Sequence, residues 1–528
     1  MNFKNMDKKI ISLIPLALIL LFAYIFTNYI SGYFSRSVIQ DNLMWITPVF
    51  FGATLILILV SFGFSFKDMK KLFRFDKKIW ISLLLIFLVG FSLRAFVAPQ
   101  TNRLYYDEDI YMNIAQNIQN EGKTILCNYG TPTKCIEGIY NKQPNGYPFL
   151  ISILFFLTGV NEINASYFTI FLSSLTIFFI FLISYLLFDD KKIGLFSALI
   201  FSLVPINIIW APTTSAGSVF VLFSAISIFG FLCYFKTEKL SLLLFSFSSL
   251  AYAIQIRPEG TILIVIVGLL FLLKDKKLFS RLNDKKFLLI LILFSFLILP
   301  HLLHLDSVKN ESWGSSGSKL SMEYVGKNIK DNGGFFFENT RFPVIFTILS
   351  ILGLYPFRKY WKEKIFLGFW FLAFFGLYLL FYAGSFNYGV DVRFSLNLYL
   401  PLSIFGASGC VLIYELVYKH IKNKKIRAFS FFIPLVIVLL SFSQFIPFVG
   451  SIGQKAWDAR VAHDFIVEKT DELPKDCWVF THVPSVVLVS GRNSLQAWYA
   501  QNPKIVDKLF SQTDCVMFYE EYWCNSDP

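Results

Sequence analysis

The stretch YPFLISILFFLTGV, residues 147–160, decides how the rest of the chain is threaded. It is apolar but only about 14 residues long, the range of a re-entrant or interfacial helix rather than of a bilayer span of about 20. Spans are expected elsewhere, near 10–30, 46–66, 78–97, 165–187, 193–210, 216–235, 240–256, 258–273, 287–305, 342–357, 364–383, 394–416 and 427–449. With 147–160 left uncrossed, the basic clusters all fall on one side. They are Lys70-Lys71 with Arg74, Lys77-Lys78, Lys191-Lys192, Lys236 with Lys239, Lys274 to Lys286, Arg358 to Lys364 and Lys419 to Arg427. The N-terminal Lys4, Lys8 and Lys9 join them, whereas crossing at 147–160 breaks the agreement at Lys191. The bias of Lys and Arg toward cytoplasmic loops then places the N-terminus in the cytoplasm.

Composition supports the same class. Of 528 residues, 55% are hydrophobic and only 16% charged, against about a quarter charged in soluble domains. The net charge of +13 does not point to nucleic acid, because the basic residues gather in short clusters between apolar runs. The first apolar run is too long for a signal-peptide core and lacks a small-residue cleavage site, so it reads as a retained helix. The expected fold is an all-α, multi-pass membrane protein of about 13 helices with a small α/β appendage. Two N-terminal helices occupy 1–77, and the main transmembrane unit 78–450. The polar segments 98–146, 306–341 and 451–528 face outward. In the last of these, Gln454–Lys469 and Pro503–Ser511 read as helices, and Cys477–Thr481 and Cys515–Glu520 as short strands.

Cys233 and Cys410 lie in apolar runs and read as packing residues; the other cysteines fall in outward segments. Cys127 and Cys135 close a short loop there and would form a disulfide in an oxidising compartment.

The chemistry-bearing residues cluster at the outward face. Arg103-Leu-Tyr-Tyr106-Asp107-Glu108-Asp109-Ile-Tyr111 sets three consecutive carboxylates beside the hydrocarbon boundary. Mutual repulsion and low dielectric raise carboxyl pKa values, which suits general-base work on a hydroxyl. Asp107 also reads as the N-cap of a helix with acids in its first turn, and the two roles are compatible. Arg94, Arg257 in Arg257-Pro258-Glu259-Gly260, and Arg393 share that face and depth. Snorkelling toward water is the plain alternative for each, whereas guanidinium groups suit a phosphate that is held and released. Asn141-Lys142-Gln143-Pro144-Asn145-Gly146-Tyr147-Pro148 is a turn from which Lys142 could reach a phosphate. His301 and His304, three apart on one helix face, read as hydrogen-bonded helix-end residues rather than metal ligands.

Taken in order, Arg94, Tyr106-Asp107-Glu108, Tyr111, Gln143 to Pro148, Arg257 to Gly260 and Arg393-Phe394 resemble the GT-C glycosyltransferases. Within them the set looks like the protein O-mannosyltransferase and aminoarabinose-transferase-like group (families 39 and 83), over roughly residues 78–420. The resemblance implies an inverting transfer of a sugar from a polyprenyl- or dolichyl-phosphate donor to a protein, lipid or glycan acceptor. It casts Asp107 as the base and Glu108 as a wall of the same pocket. Arg257 and Arg393, with Lys142, would face the donor phosphate; Arg94, Tyr106, Tyr147 and Glu259 would complete the pocket. The 147–160 stretch would be the family's interfacial helix. The family's usual Lys-Pro-Pro or His-Pro-Pro is Lys142-Gln143-Pro144-Asn145 here, which offsets Lys142. No cofactor is expected, and a divalent metal on Asp107, Glu108 and Asp109 is not favoured. A lipid-linked-glycan transporter would instead show broken spans in matching halves and charges at mid-bilayer depth; a non-catalytic scaffold would tolerate changes at Asp107, Arg257 and Arg393.

Overall fold

The structure, a computed structural model, describes residues 18, 21–98, 107–275, 277–310, 318–355, 360–387, 389–421, 423, 429–442 and 445–519. Among the described residues seven helices are long and apolar enough to cross a membrane: Arg36–Leu72, Lys77–Val97, Glu162–Phe188, Ala216–Thr237, Lys285–Ser307, Trp361–Leu380 and Val392–His420. Of the other expected spans, the one near 10–30 is described at 18 and 21–30, where the chain is helical, and the rest coincide with shorter helices. The run 193–210 is not one helix: it breaks after Lys191–Ser202 and resumes as Pro205–Ile209, because Pro205 lacks the N–H that a continuous helix needs.

In chain order we label α1 (Arg36–Leu72), α2 (Lys77–Ser92, ending in the π-helical turn Leu93–Val97), α3 (Asp107–Glu121), β1 (Ile125–Thr131), β2 (Lys134–Tyr140) and α4 (Gly146–Thr158). There follow α5 (Glu162–Phe188), α6 (Lys191–Ser202), α7 (Ala216–Thr237), α8 (Leu240–Ile256), α9 (Ile262–Lys274), α10 (Lys285–Ser307), α11 (Val325–Phe335) and α12 (Val344–Leu352). The chain continues through α13 (Trp361–Leu380), α14 (Tyr399–His420), α15 (Phe432–Phe442), α16 (Ile446–Asp471), β3 (Trp478–Thr481), α17 (Pro484–Val489), β4 (Asn493–Gln496), α18 (Pro503–Phe510) and β5 (Val516–Phe518).

The spans are joined tightly at the end that carries the lysine clusters. Asp189 ends α5 in a left-handed conformation, φ 53°, and Asp190 caps α6 by accepting from Lys192 N at 2.7 Å. Glu238 ends α7 in the same way, φ 57°, and Asp284 caps α10 by accepting from Lys286 N at 2.9 Å. Between the helices, hydroxyls fold back on their own carbonyls: Ser224 on Phe220, Ser246 on Leu242 and Ser249 on Phe245, at 2.6–2.8 Å. Backbone and small side chains can then meet closely without a lost hydrogen bond in the hydrocarbon.

The opposite end carries the sheet, and here the structure goes beyond the sequence reading. Its order is β2-β1-β4-β3-β5, so the segment between α3 and α4 and the C-terminal segment share one sheet. β1 pairs antiparallel with β2 and β4, and β3 runs parallel to both β4 and β5. Tyr129, Trp478, Phe480, Leu495, Tyr499 and Leu509 form one apolar layer, and Ile466 from α16 with Val479, Val483, Val486 and Val487 forms another. Between these layers all of β3 is buried, whereas no residue of the edge strands β2 and β5 is. Two disulfides fasten it, Cys127–Cys135 and Cys477–Cys515. The sequence reading did not pair the second couple.

Helix α4 stays at this end. It runs beside α3 in the same direction: Tyr111 meets Tyr147 edge-on, ring centroids 5.6 Å apart, and eight residues on Gln119 Nε2 donates to Phe155 O at 3.3 Å. A helix as polar as α3 cannot follow a partner through hydrocarbon. Phe156 and Leu157 on the far face of α4 remain exposed apolar surface.

Candidate functional site

The sequence DEDIYMNIAQN starts α3, and its three acids occupy the first turn, where the helix dipole favours negative charge. Successive residues on a helix point about 100° apart, so the three carboxylates diverge. Asp107 Oδ2 meets Arg393 Nη1 at 3.0 Å and accepts from Gln143 Nε2 at 3.0 Å. Glu108 Oε1 accepts from the backbone N of Thr214 at 3.0 Å. Asp109 Oδ1 faces His463 Nε2 of α16 at 3.6 Å. The sequence reading gave Glu108 a share of Asp107's pocket; its located bond instead ties α3 to the loop before α7.

Gln143 reaches Asp107 because the turn carrying it is pinned. A Cβ on Gly146 would sit 2.6 Å from Gln255 O, so only glycine lets the turn press on the end of α8. The Tyr252 hydroxyl secures it by donating to Gly146 O at 2.8 Å, and the Tyr111 hydroxyl donates to Gln143 Oε1. Tyr147 is fully buried beneath this layer, its hydroxyl 2.7 Å from Thr169 Oγ1.

Directly after α8, Arg257 turns into a 3-10 turn, Pro258–Thr261. Its Nε and Nη2 grip both oxygens of Glu259, at 3.1 and 2.7 Å. Burial works against both charges, and the close pairing offsets that cost for each. Tyr378 donates to Glu259 Oε1 at 3.4 Å and stacks on Phe394, centroids 5.0 Å apart. Phe394 in turn contacts two guanidinium groups, Arg257 at 5.4 Å and Arg393 at 5.6 Å from the ring centroid, cation–π contacts that hold both in place.

The second outward loop secures the approach to Arg393. The last carbonyls of a helix lack intrahelical partners; at the end of α13, Asn328 Nδ2 donates to the carbonyls of Tyr378, Leu379 and Phe381 at 2.8–3.1 Å. Asn332 then holds Gly384 O at 2.9 Å and Phe386 N at 2.7 Å. The chain is fixed on both sides as it turns back toward α14.

Asp107, Arg257, Glu259 and Arg393 are therefore brought together, and other expected residues are not. Arg94 is fully buried, and its Nη1 donates to Gly90 O at 2.8 Å and Ser202 O at 3.3 Å. Those bonds lock α2 to α6. Lys142 is exposed beside His304 and Lys319. Tyr106 lies outside the described residues. His304 Nδ1 lies 2.6 Å from the Tyr140 hydroxyl, a helix-end hydrogen bond. Gln143, Tyr378, Phe394 and His463 went unassigned in the sequence. Gln143 and Phe394 did stand inside quoted motifs, whereas Tyr378 is hidden in an apolar run. Among the described residues no group of three His, Cys, Asp or Glu side chains is arranged to hold a metal ion.

Residues 142–304 match the family described as dolichyl-phosphate-mannose-protein mannosyltransferase. No curated protein matches the chain. Among solved structures, it is similar to ArnT from Cupriavidus metallidurans bound to undecaprenyl phosphate, with a TM-score of 0.53 and 13% identity over 84% of this chain and 90% of that one. The apo state of ArnT gives a TM-score of 0.46 at 12% identity, covering 79% of this chain and 84% of that one. The arabinosyltransferase EmbB from Mycobacterium smegmatis gives 0.43 at 12%, covering 78% and 44%. The fold comparison rests on the first of these alone. The family match lies within residues 142–304, and the similarity to ArnT extends the shared fold over most of the chain.

Proposed function

We propose that the chain transfers a sugar from a polyprenyl- or dolichyl-phosphate donor to an acceptor hydroxyl at the extracytoplasmic face, with inversion at the anomeric carbon. The observation that carries this reading is the 3.0 Å contact of Asp107 with Arg393, beside a second guanidinium on the same aromatic ring. Arg257 and Arg393 are the groups for the donor phosphate. Each offers charged N–H groups that gain strength as negative charge accumulates on the departing lipid phosphate. A phosphate drawing Arg393 toward itself leaves Asp107 with the Gln143 amide. Without its cation, the carboxylate becomes the stronger base toward an acceptor hydroxyl. Donor binding thereby readies the base.

The undecaprenyl phosphate in the ArnT structure supports a polyprenyl carrier here. The threading that goes with this reading has about 13 spans, two of them within 1–77, with the N-terminus cytoplasmic and the shared sheet outside. A membrane-impermeant thiol reagent, applied after reduction, should label Cys477 or Cys515 from outside and spare a cysteine placed at Lys191; the reverse pattern would invert the orientation.

The function is tested by incubating the purified protein with a panel of radiolabelled lipid-phosphate sugars, with and without a chelator. Lipid phosphate should be released by the wild type. Arg257→Ala and Arg393→Ala should lose affinity for undecaprenyl phosphate in nanodiscs, and Asp107→Asn should keep it. Unchanged phosphate affinity in both arginine variants would remove the phosphate site from this location.

A further inference from the structure

The sheet and α16 do more than cover the outward face: they reach the back of the helix that carries Asp107. On α3, Asp109 points nearly opposite to Asp107, into the interface with α16, and its carboxylate is 1% exposed there. His463 of α16, with its side chain 5% exposed, places Nε2 at 3.6 Å from Asp109 Oδ1 and 4.0 Å from Glu162 Oε2, and Nδ1 at 3.2 Å from Asp464 Oδ1. Both competing carboxylates are held by another cation. Arg460 Nη2 donates to Glu162 Oε2 at 3.2 Å, and Arg460 Nε lies 2.8 Å from Asp464 Oδ1. A second bond from the same face of α3 runs from Gln116 Nε2 to Leu488 O of α17 at 3.0 Å.

We infer that His463 is a positioning residue for the transfer reaction: through Asp109 it fixes the rotation of α3 and so sets where Asp107 stands against Arg393 and the acceptor. The inference rests on the proposed role of Asp107, but the clamp itself is a property of α3 that can be read without turnover. Asp107 has two bonds on the front of the helix, to Arg393 and Gln143, and a phosphate competes for the first. When Arg393 is drawn away, the contact behind α3 helps the Gln143 amide keep the carboxylate in register. A misplacement of about 1 Å can cost on the order of a hundredfold in rate.

The test compares His463→Ala, His463→Gln and Asp109→Asn in the full-length protein, each checked for wild-type elution and melting temperature. His463→Ala should lower kcat by about tenfold to a hundredfold with the KM for the lipid-phosphate sugar unchanged. Amide exchange over residues 107–112 should accelerate. His463→Gln, which restores an N–H toward Asp109, should recover most of both, and Asp109→Asn should reproduce the alanine variant. Wild-type kcat and wild-type exchange in His463→Ala would overturn the inference, as would an equal loss in the alanine and glutamine variants. Should Asp107→Asn prove fully active, the base assignment would fall, yet the exchange at 107–112 would still decide the clamp.

Discussion

Removing Arg393 should expose how strongly the centre depends on one ion pair. The guanidinium and the Asp107 carboxylate sit 3.0 Å apart with side chains 7% and 11% exposed, so solvent screens them little. At an effective dielectric of about 20, Coulomb's law gives roughly 5 kcal/mol of attraction at that distance, offset in part by the cost of drying both groups. Arg393→Met leaves a buried carboxylate supported by the Gln143 amide and the α3 dipole. Breaking one partner of a buried pair typically costs about 3–5 kcal/mol. Asp107→Asn removes the facing charge from Arg393 and should cost a similar amount. The double variant removes both charges, and its loss should fall short of the sum of the singles by about 2–3 kcal/mol. The assay is thermal unfolding in one detergent, followed by tryptophan fluorescence and compared as differences in Tm. For a chain longer than 250 residues each kcal/mol moves Tm by roughly 1–2 °C, so each single variant should melt about 4–8 °C lower. Additive losses in the double variant would refute the pair.

Gly146→Ala should displace the Gln143 turn, because its Cβ would meet Gln255 O at 2.6 Å, and should lower both Tm and kcat; Gly268→Ala, with open space around it, should do neither. Cys477→Ser opens a bridge spanning 38 residues, about 4 kcal/mol by the loop-entropy estimate, and should lower Tm more than Cys135→Ser, whose bridge spans 8 residues.

Much of this architecture was legible because it rests on local signals. The short apolar run 147–160 does form a short helix, Gly146–Thr158. The Asp-Glu start of α3, the Gln-Pro-Asn-Gly turn and the Arg-Pro-Glu-Gly turn each carried their own punctuation. Burial and pairing over long separations were not legible. β1 meets β4 across more than 350 residues, as Tyr129 opposite Leu495, and β4 is only 4 residues long, too short to show an alternating pattern. Arg94 read as a site residue because a buried cation usually has a purpose; here the purpose is two backbone carbonyls on α2 and α6. Asp107 and Glu108 read as walls of one pocket; the fold adds what the sequence did not show, a bond from Thr214 N to Glu108 and His463 facing Asp109. His463 stood in an ordinary amphipathic helix, and only the fold shows which face of α3 it meets.

The central claim is that Asp107 takes the acceptor proton while two arginines hold the lipid phosphate. It is tested most directly by single-turnover reaction of a defined polyprenyl-phosphate sugar with wild type and Asp107→Asn, reading released lipid phosphate and the anomeric configuration of the product. The account predicts an inverted product from the wild type and a rate at least about a hundredfold lower in the variant, with donor affinity intact. Retained configuration, or a variant as fast as the wild type, would contradict it.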